Sequence, residues 1–123
     1  MPGALLHFRL LFAVNDAEKA GRRLREVARA IGPDAEGVVV GRYWKDGRLW
    51  EATIGVAGIV GSPAEVAFEC LIRAARLGHG WIISGPGGDG RLDGFAGVLD
   101  TGGPGRSAIL GLEWASFALI LAQ

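Results

Sequence analysis

From Leu6 to Val14 every even position holds a large apolar residue, and the odd positions Leu5, His7, Arg9, Leu11 and Ala13 are mixed. This period-two pattern predicts a strand over 4–14 with one face on a core and the other partly wet. The period then changes. Ala17, Ala20, Leu24, Val27, Ala28 and Ile31 form one helical stripe, and Glu18, Arg22, Arg25, Glu26 and Arg29 occupy the other face. A helix over 16–31 follows, with Asn15 as its cap, Glu18 completing a capping-box pattern, and Gly32-Pro33 as its stop.

Residues 37–58 read as a hairpin around Asp46-Gly47, a two-residue type I′ turn signal. That turn sets Lys45 opposite Arg48, Trp44 opposite Leu49, Tyr43 opposite Trp50 and Arg42 opposite Glu51. It places Tyr43, Trp50, Val39, Ile54 and Val56 on one face, and Arg42, Trp44, Glu51, Val40, Leu49 and Thr53 on the other. A second helix opens at Ser62-Pro63, with Glu65 at its third position, and ends at Gly78. Its polar stripe is Glu65, Glu69, Arg73 and Arg76. Its core stripe is Ala67, Leu71 and Ala74, flanked by Cys70 and Ala75. Strands over 81–84, 91–100 and 108–122 follow, separated by Gly-rich segments at 85–90 and 101–106. Glycines inside strands, such as Gly41 and Gly97, mark bulges or close backbone approach.

The order β-α-β-β-α-β plus two strands predicts an α+β fold: a ferredoxin-like βαββαβ sandwich with two additional C-terminal β-strands. Both helices cover one face of an antiparallel sheet, which leaves the other face for function. At 123 residues the chain is expected to form a single domain, 1–123. Thirteen basic and thirteen acidic residues cancel, which argues against a nucleic-acid or polybasic membrane-surface partner. A lone cysteine excludes an internal disulfide and cannot build a zinc site by itself. Eleven arginines against two lysines, with abundant Ala and Gly, follow GC-rich codons and suggest a bacterial source. His7 and Arg9 interrupt any signal-peptide core, and Glu113 interrupts the apolar C-terminal stretch, so a cytoplasmic protein is expected.

Candidate chemistry is sparse. The loop 85–90 follows a strand as a phosphate loop does, but it lacks Gly-Lys-Ser/Thr and leads into a strand, so it reads as a hairpin loop. Cys70 lies mid-helix beside the core stripe and reads as packing. His79, between two glycines, reads as a surface turn residue. The pair Asp89/Asp93 reads as solvated. His7 and Arg9 share the open face of the first strand, without the carboxylate spacing of an acid–base or metal site. Trp50 and Trp81 read as core; Trp114 belongs either to a second small core or to an aromatic–arginine patch. Aromatics of the RNA-binding type are missing from strands one and three. No catalytic, metal or cofactor set can be assembled.

The runs Gly80-Trp81-Ile82-Ile83-Ser84-Gly85-Pro86, Gly94-Phe95-Ala96-Gly97 and Gly111-Leu112-Glu113-Trp114-Ala115-Ser116-Phe117, with the preceding α/β pattern, resemble the small cytoplasmic immunity proteins encoded beside bacterial polymorphic or contact-dependent toxins. That resemblance implies a non-enzymatic protein that neutralises a cognate toxin by binding it. The zero net charge departs from the acidic surfaces of inhibitors of basic nucleases.

The expected partner-binding residues are His7, Arg9, Arg42, Trp44, Glu51 and Thr53, extended by the loops 85–91 and 101–106. A competing layout has the last two strands folding over this face, with Trp44 as core. The alternative function is a small-molecule binder or enzyme of the dimeric ferredoxin-like type, with His7 and Arg9 lining a sheet-face cavity. The sequence also leaves room for a homodimer. The helical stripe itself yields a test. Leu24→Ala should cost about 2–5 kcal/mol in denaturant unfolding, whereas a loss within ~0.5 kcal/mol would place Leu24 on the surface.

Overall fold

The structure is a computed structural model that describes residues 3–87 and 90–121. Strands β1 (Ala4–Ala13), β2 (Glu36–Arg42), β3 (Leu49–Ile59), β5 (Ile82–Ser84), β6 (Ala96–Asp100) and β8 (Leu112–Ile120) form one six-stranded sheet. Its order is β2-β3-β1-β8-β6-β5, and every neighbouring pair is antiparallel. Two short strands, β4 (Gly78–His79) and β7 (Arg106–Ser107), pair separately. Helices α1 (Ala17–Ile31) and α2 (Pro63–Leu77) complete an α+β fold.

The strand order corrects the expected topology. In a ferredoxin-like sheet the first strand after α2 returns beside β1. Here that place belongs to β8, and β5 lies at the far edge, from which β6 and β8 step back towards β1. The physical reason is length and sequence. Residues 82–84 make a three-residue strand, whereas β8 offers nine residues with Leu112, Ala115, Phe117 and Leu119 buried beside the apolar face of β1. The last strands therefore extend the sheet sideways and do not fold over its open face. The expected strand over 91–100 begins at Ala96. The strand expected over 108–122 begins at Leu112, and its last residue lies outside the described ones.

The core lies between sheet and helices. Leu6, Phe8, Leu10 and Phe12 are fully buried, as the alternation predicts, and they share one core cluster with Leu24, Val27 and Ile31 of α1. Asp16, one residue later than expected, caps α1 by accepting from the Lys19 N–H at 2.9 Å. Helix α2 has the expected capping box between Ser62 and Glu65. It is rotated relative to the expected stripe: Val66, Ala67, Cys70, Ala74 and Leu77 are buried, and Leu71 faces outward. The polar stripe has a structural role too. Arg73 Nη1 donates to the Ile31 carbonyl and Arg76 Nη1 to the Ala30 carbonyl, so cations meet the negative end of α1.

Trp81 closes the core at the end of α2. Its Nε1 donates to the carbonyls of Ala74 and Gly78 at 2.9 and 3.1 Å, and its ring packs on Phe117 and Phe8. Phe95 joins the same cluster edge-on to Phe117. This crowding explains Gly97, which faces Phe117 across the β6–β8 ladder. A Cβ there would run into the Phe117 ring and come within 2.8 Å of Ile83 Cδ1. Gly97→Ala should therefore lower unfolding free energy by about 1–3 kcal/mol, as overpacking does. Unchanged stability in urea titration would show that the Phe117 ring yields without cost.

Candidate functional site

The face opposite the helices is a flat array whose rows are set by strand register. One row runs Glu36, Gly55, His7, Ala118, Ala96, Ser84. The next runs Val38, Thr53, Arg9, Ser116, Val98, Ile82. A third runs Gly41, Glu51, Leu11, Trp114, Asp100. Directly opposed residues point to the same side of a sheet, so these side chains share one surface.

Arg9 is the centre of that surface. Its Nε donates to Glu51 Oε2 at 2.6 Å, and both side chains are largely covered, at 35% and 19% exposure. The guanidinium carbon lies 5.3 Å from the Tyr43 ring centroid and 5.6 Å from that of Trp114, within cation–π range of both. The hydrogen bond to Glu51 raises the Arg9 pKa above its ordinary value, with burial opposing. Beside this group lies a cavity of about 390 Å³, floored by Leu11 and Leu49 and walled by Arg9, Tyr43 and Trp114. Asp100, Thr101, Gly102 and Glu113 complete its lining. A second depression, of about 580 Å³, holds His7 with Thr53, Gly55, Asp34 and Glu36.

Four of the six expected contact residues, His7, Arg9, Glu51 and Thr53, therefore meet on one face. The other two do not join them. The expected two-residue turn is replaced by two linked turns, with Asp46 N–H donating to the Tyr43 carbonyl and Leu49 N–H to the Asp46 carbonyl. A bulge between Val39 and Gly41 then shifts the register, so Arg42 opposes Trp50 and Gly41 opposes Glu51. Arg42 is carried to the helix side of the sheet. Its guanidinium lies over the Trp50 ring, 5.0 Å from the centroid, and Nη1 donates to the Gly47 carbonyl at 2.7 Å. Glu51 pairs with Arg9 in place of Arg42. Trp44 is neither core nor face: it stands on the loop, 80% exposed, beside Tyr43 and Lys45.

Tyr43 makes the opposite move. Expected on the core face, it sits over Arg9 on the open one. Tyr43 and Asp100 are the site residues that strand-by-strand reading missed. Gly41, already marked as a bulge signal, was the available hint for Tyr43. Trp114 was legible as part of an aromatic–arginine patch, without its arginine being known.

Comparison of the chain with protein-family models, curated proteins and solved structures finds no match. The residues alone carry the reading of the site.

The remaining chemical candidates are dispersed. Among the described residues, no group of three or more His, Cys, Asp or Glu could hold a metal ion. His79 is exposed in β4, paired with Arg106. In the Gly-rich loop, Gly88 and Asp89 lie outside the described residues, so the pair Asp89/Asp93 has no structural account; Asp93 is ion-paired with Arg91 at 3.2 Å. No helix among the described residues is long and apolar enough to cross a membrane. Cys70 is buried, and desolvation pushes its thiol up to about 11, against the pull of Arg73. The thiol thus stays protonated at neutral pH, and the thiolate is the reactive form. Iodoacetamide should label native Cys70 slowly at pH 7 to 8 and rapidly after unfolding in urea. Rapid labelling of the native protein at pH 7 would restore Cys70 as a nucleophile.

Proposed function

We propose that the chain is a non-enzymatic protein-binding module whose contact surface is the open face of the sheet. In line with the immunity-protein resemblance, the proposed partner is a cognate toxin domain, neutralised by direct binding in a bacterial cytoplasm. The carrying observation is the character of this face. A sheet face meant for water alternates with polar residues. Here Val38, Ile82 and Ile120 are 59%, 60% and 52% exposed, around the half-buried Arg9–Glu51–Tyr43–Trp114 group. An apolar surround with Arg, Tyr and Trp at its centre has the composition of binding hot spots. The proposed contact residues are His7, Arg9, Glu51 and Thr53, joined by Tyr43 and Trp114. A second copy of the chain is the competing occupant.

The second reading, a small-molecule binder or enzyme, is favoured by one observation: the same face holds two cavities, one with His7 and one with Arg9. Within one chain His7 and Arg9 line different depressions.

Ser116 tests the main reading, because it lies mid-face beside Arg9 and takes no part in the core. Ser116→Arg should leave the melting temperature within a few degrees of the parent. It should weaken retention of a partner co-expressed from the neighbouring reading frame by about thirtyfold or more, as loss of a central contact does. Undiminished retention would move the contact off this face. Sedimentation of the purified chain as a dimer that Ser116→Arg dissociates would assign the face to self-association.

A further inference from the structure

We infer that the Arg9 cavity is a binding site for a free α-amino acid with an apolar or aromatic side chain. This rests on the open face being the functional one, but it needs no protein partner.

The placement of charge around the cavity selects this ligand. Glu51 takes the Nε–H of Arg9 and the Tyr43 hydroxyl engages the guanidinium too, which leaves the rest of the terminal N–H fork for a further acceptor. Such a fork matches a carboxylate in a bidentate fashion. The same lining holds two acids, Asp100 and Glu113. Asp100 Oδ1 already accepts from the Gly102 N–H at 2.9 Å, which orients that carboxylate. Glu113 has no ion-pair partner within 4 Å among the described residues, and the Arg48 charge acts on it from further off. Asp100 stands on β6, two strands from β1, so roughly 10 Å separates the two backbones. Arg9 and Asp100 are thus placed to be bridged by a ligand.

Each simpler ligand fits one end and not the other. A lone anion would meet Asp100 and Glu113 as well as Arg9, and a lone cation would leave the remaining Arg9 N–H groups without an acceptor, since Glu51 takes only Nε–H. A zwitterion presents its carboxylate to Arg9 and its ammonium to the two acids. The floor of Leu11 and Leu49 and the Trp114 wall then receive an apolar side chain. At about 390 Å³ the cavity falls at the small end of the ligand-sized range.

Titration calorimetry of the purified chain with L-phenylalanine, L-leucine and L-tryptophan tests this, beside 3-phenylpropanoate and phenethylamine, which each lack one charge. The expected result is binding of at least one amino acid. Both single-charge analogues of phenylalanine, and both Asp100→Asn and Glu113→Gln variants, should bind weaker by about tenfold or more. Arg9→Lys should lose binding as well. Because Arg9 is ion-paired in the fold, the two rim variants are the decisive ones, and their folding is checked by circular dichroism. Absence of heat with all three amino acids at millimolar concentration overturns the site. So does an analogue that binds as tightly as phenylalanine, or rim variants that bind unchanged. A chain that retains its protein partner yet binds no amino acid refutes this site alone. A chain that binds phenylalanine and retains no partner refutes the protein-binding reading alone.

Discussion

Strand β1 imposes the constraint on which the remaining structure depends. It lies inside the sheet, and its backbone groups need hydrogen-bond partners along both sides, because buried peptide groups left unpaired cost free energy. β3 supplies one side and β8 the other, joining the halves β2-β3 and β8-β6-β5. Its even side chains, Leu6 to Phe12, are fully buried against the helices. The alternation of a strand then leaves no choice for the odd ones. His7, Arg9 and Leu11 must face the other way, towards whatever covers the sheet there.

Placing an arginine at the middle of a sheet face has its own physical requirement. A largely covered guanidinium loses hydration, and this cost must be offset by a counter-charge, by polarizable surface, or by both. Glu51 provides the first and the Tyr43 and Trp114 rings the second. These groups come from β3, from the loop that precedes it, and from β8. The centre of the face is therefore assembled from segments distant in sequence, and it is held in one arrangement before any partner arrives. Such preorganisation reduces the entropy that binding must overcome. The rim of the face is different in kind: Val38, Ile82 and Ile120 are exposed apolar groups with no covering element among the described residues.

Much of this was legible in the sequence wherever a local rule applied. The period of β1 determined which of its residues are buried, and so placed His7 and Arg9 on the open face. The helical stripe of α1, the Ser62–Glu65 capping box and the stops at Gly32 and Gly78 set both helices, because capping and amphipathicity act within one turn of chain. Pairing between distant strands is another matter. The edge place of β5, the seat of β8 beside β1 and the union of Arg9 with Trp114 depend on which strand offers β1 the longer apolar ladder, a comparison made across about a hundred residues. The hairpin shows how small the deciding event can be. One bulged residue near Val40 reverses the face assigned to Arg42 and delivers Tyr43 to Arg9, since a shift of one position in a period of two exchanges inside for outside. The sequence by itself thus determined the elements and the two faces of the central strand. Tertiary structure decided which side chains meet there, because that depends on register, and register is chosen by the packing of the whole sheet.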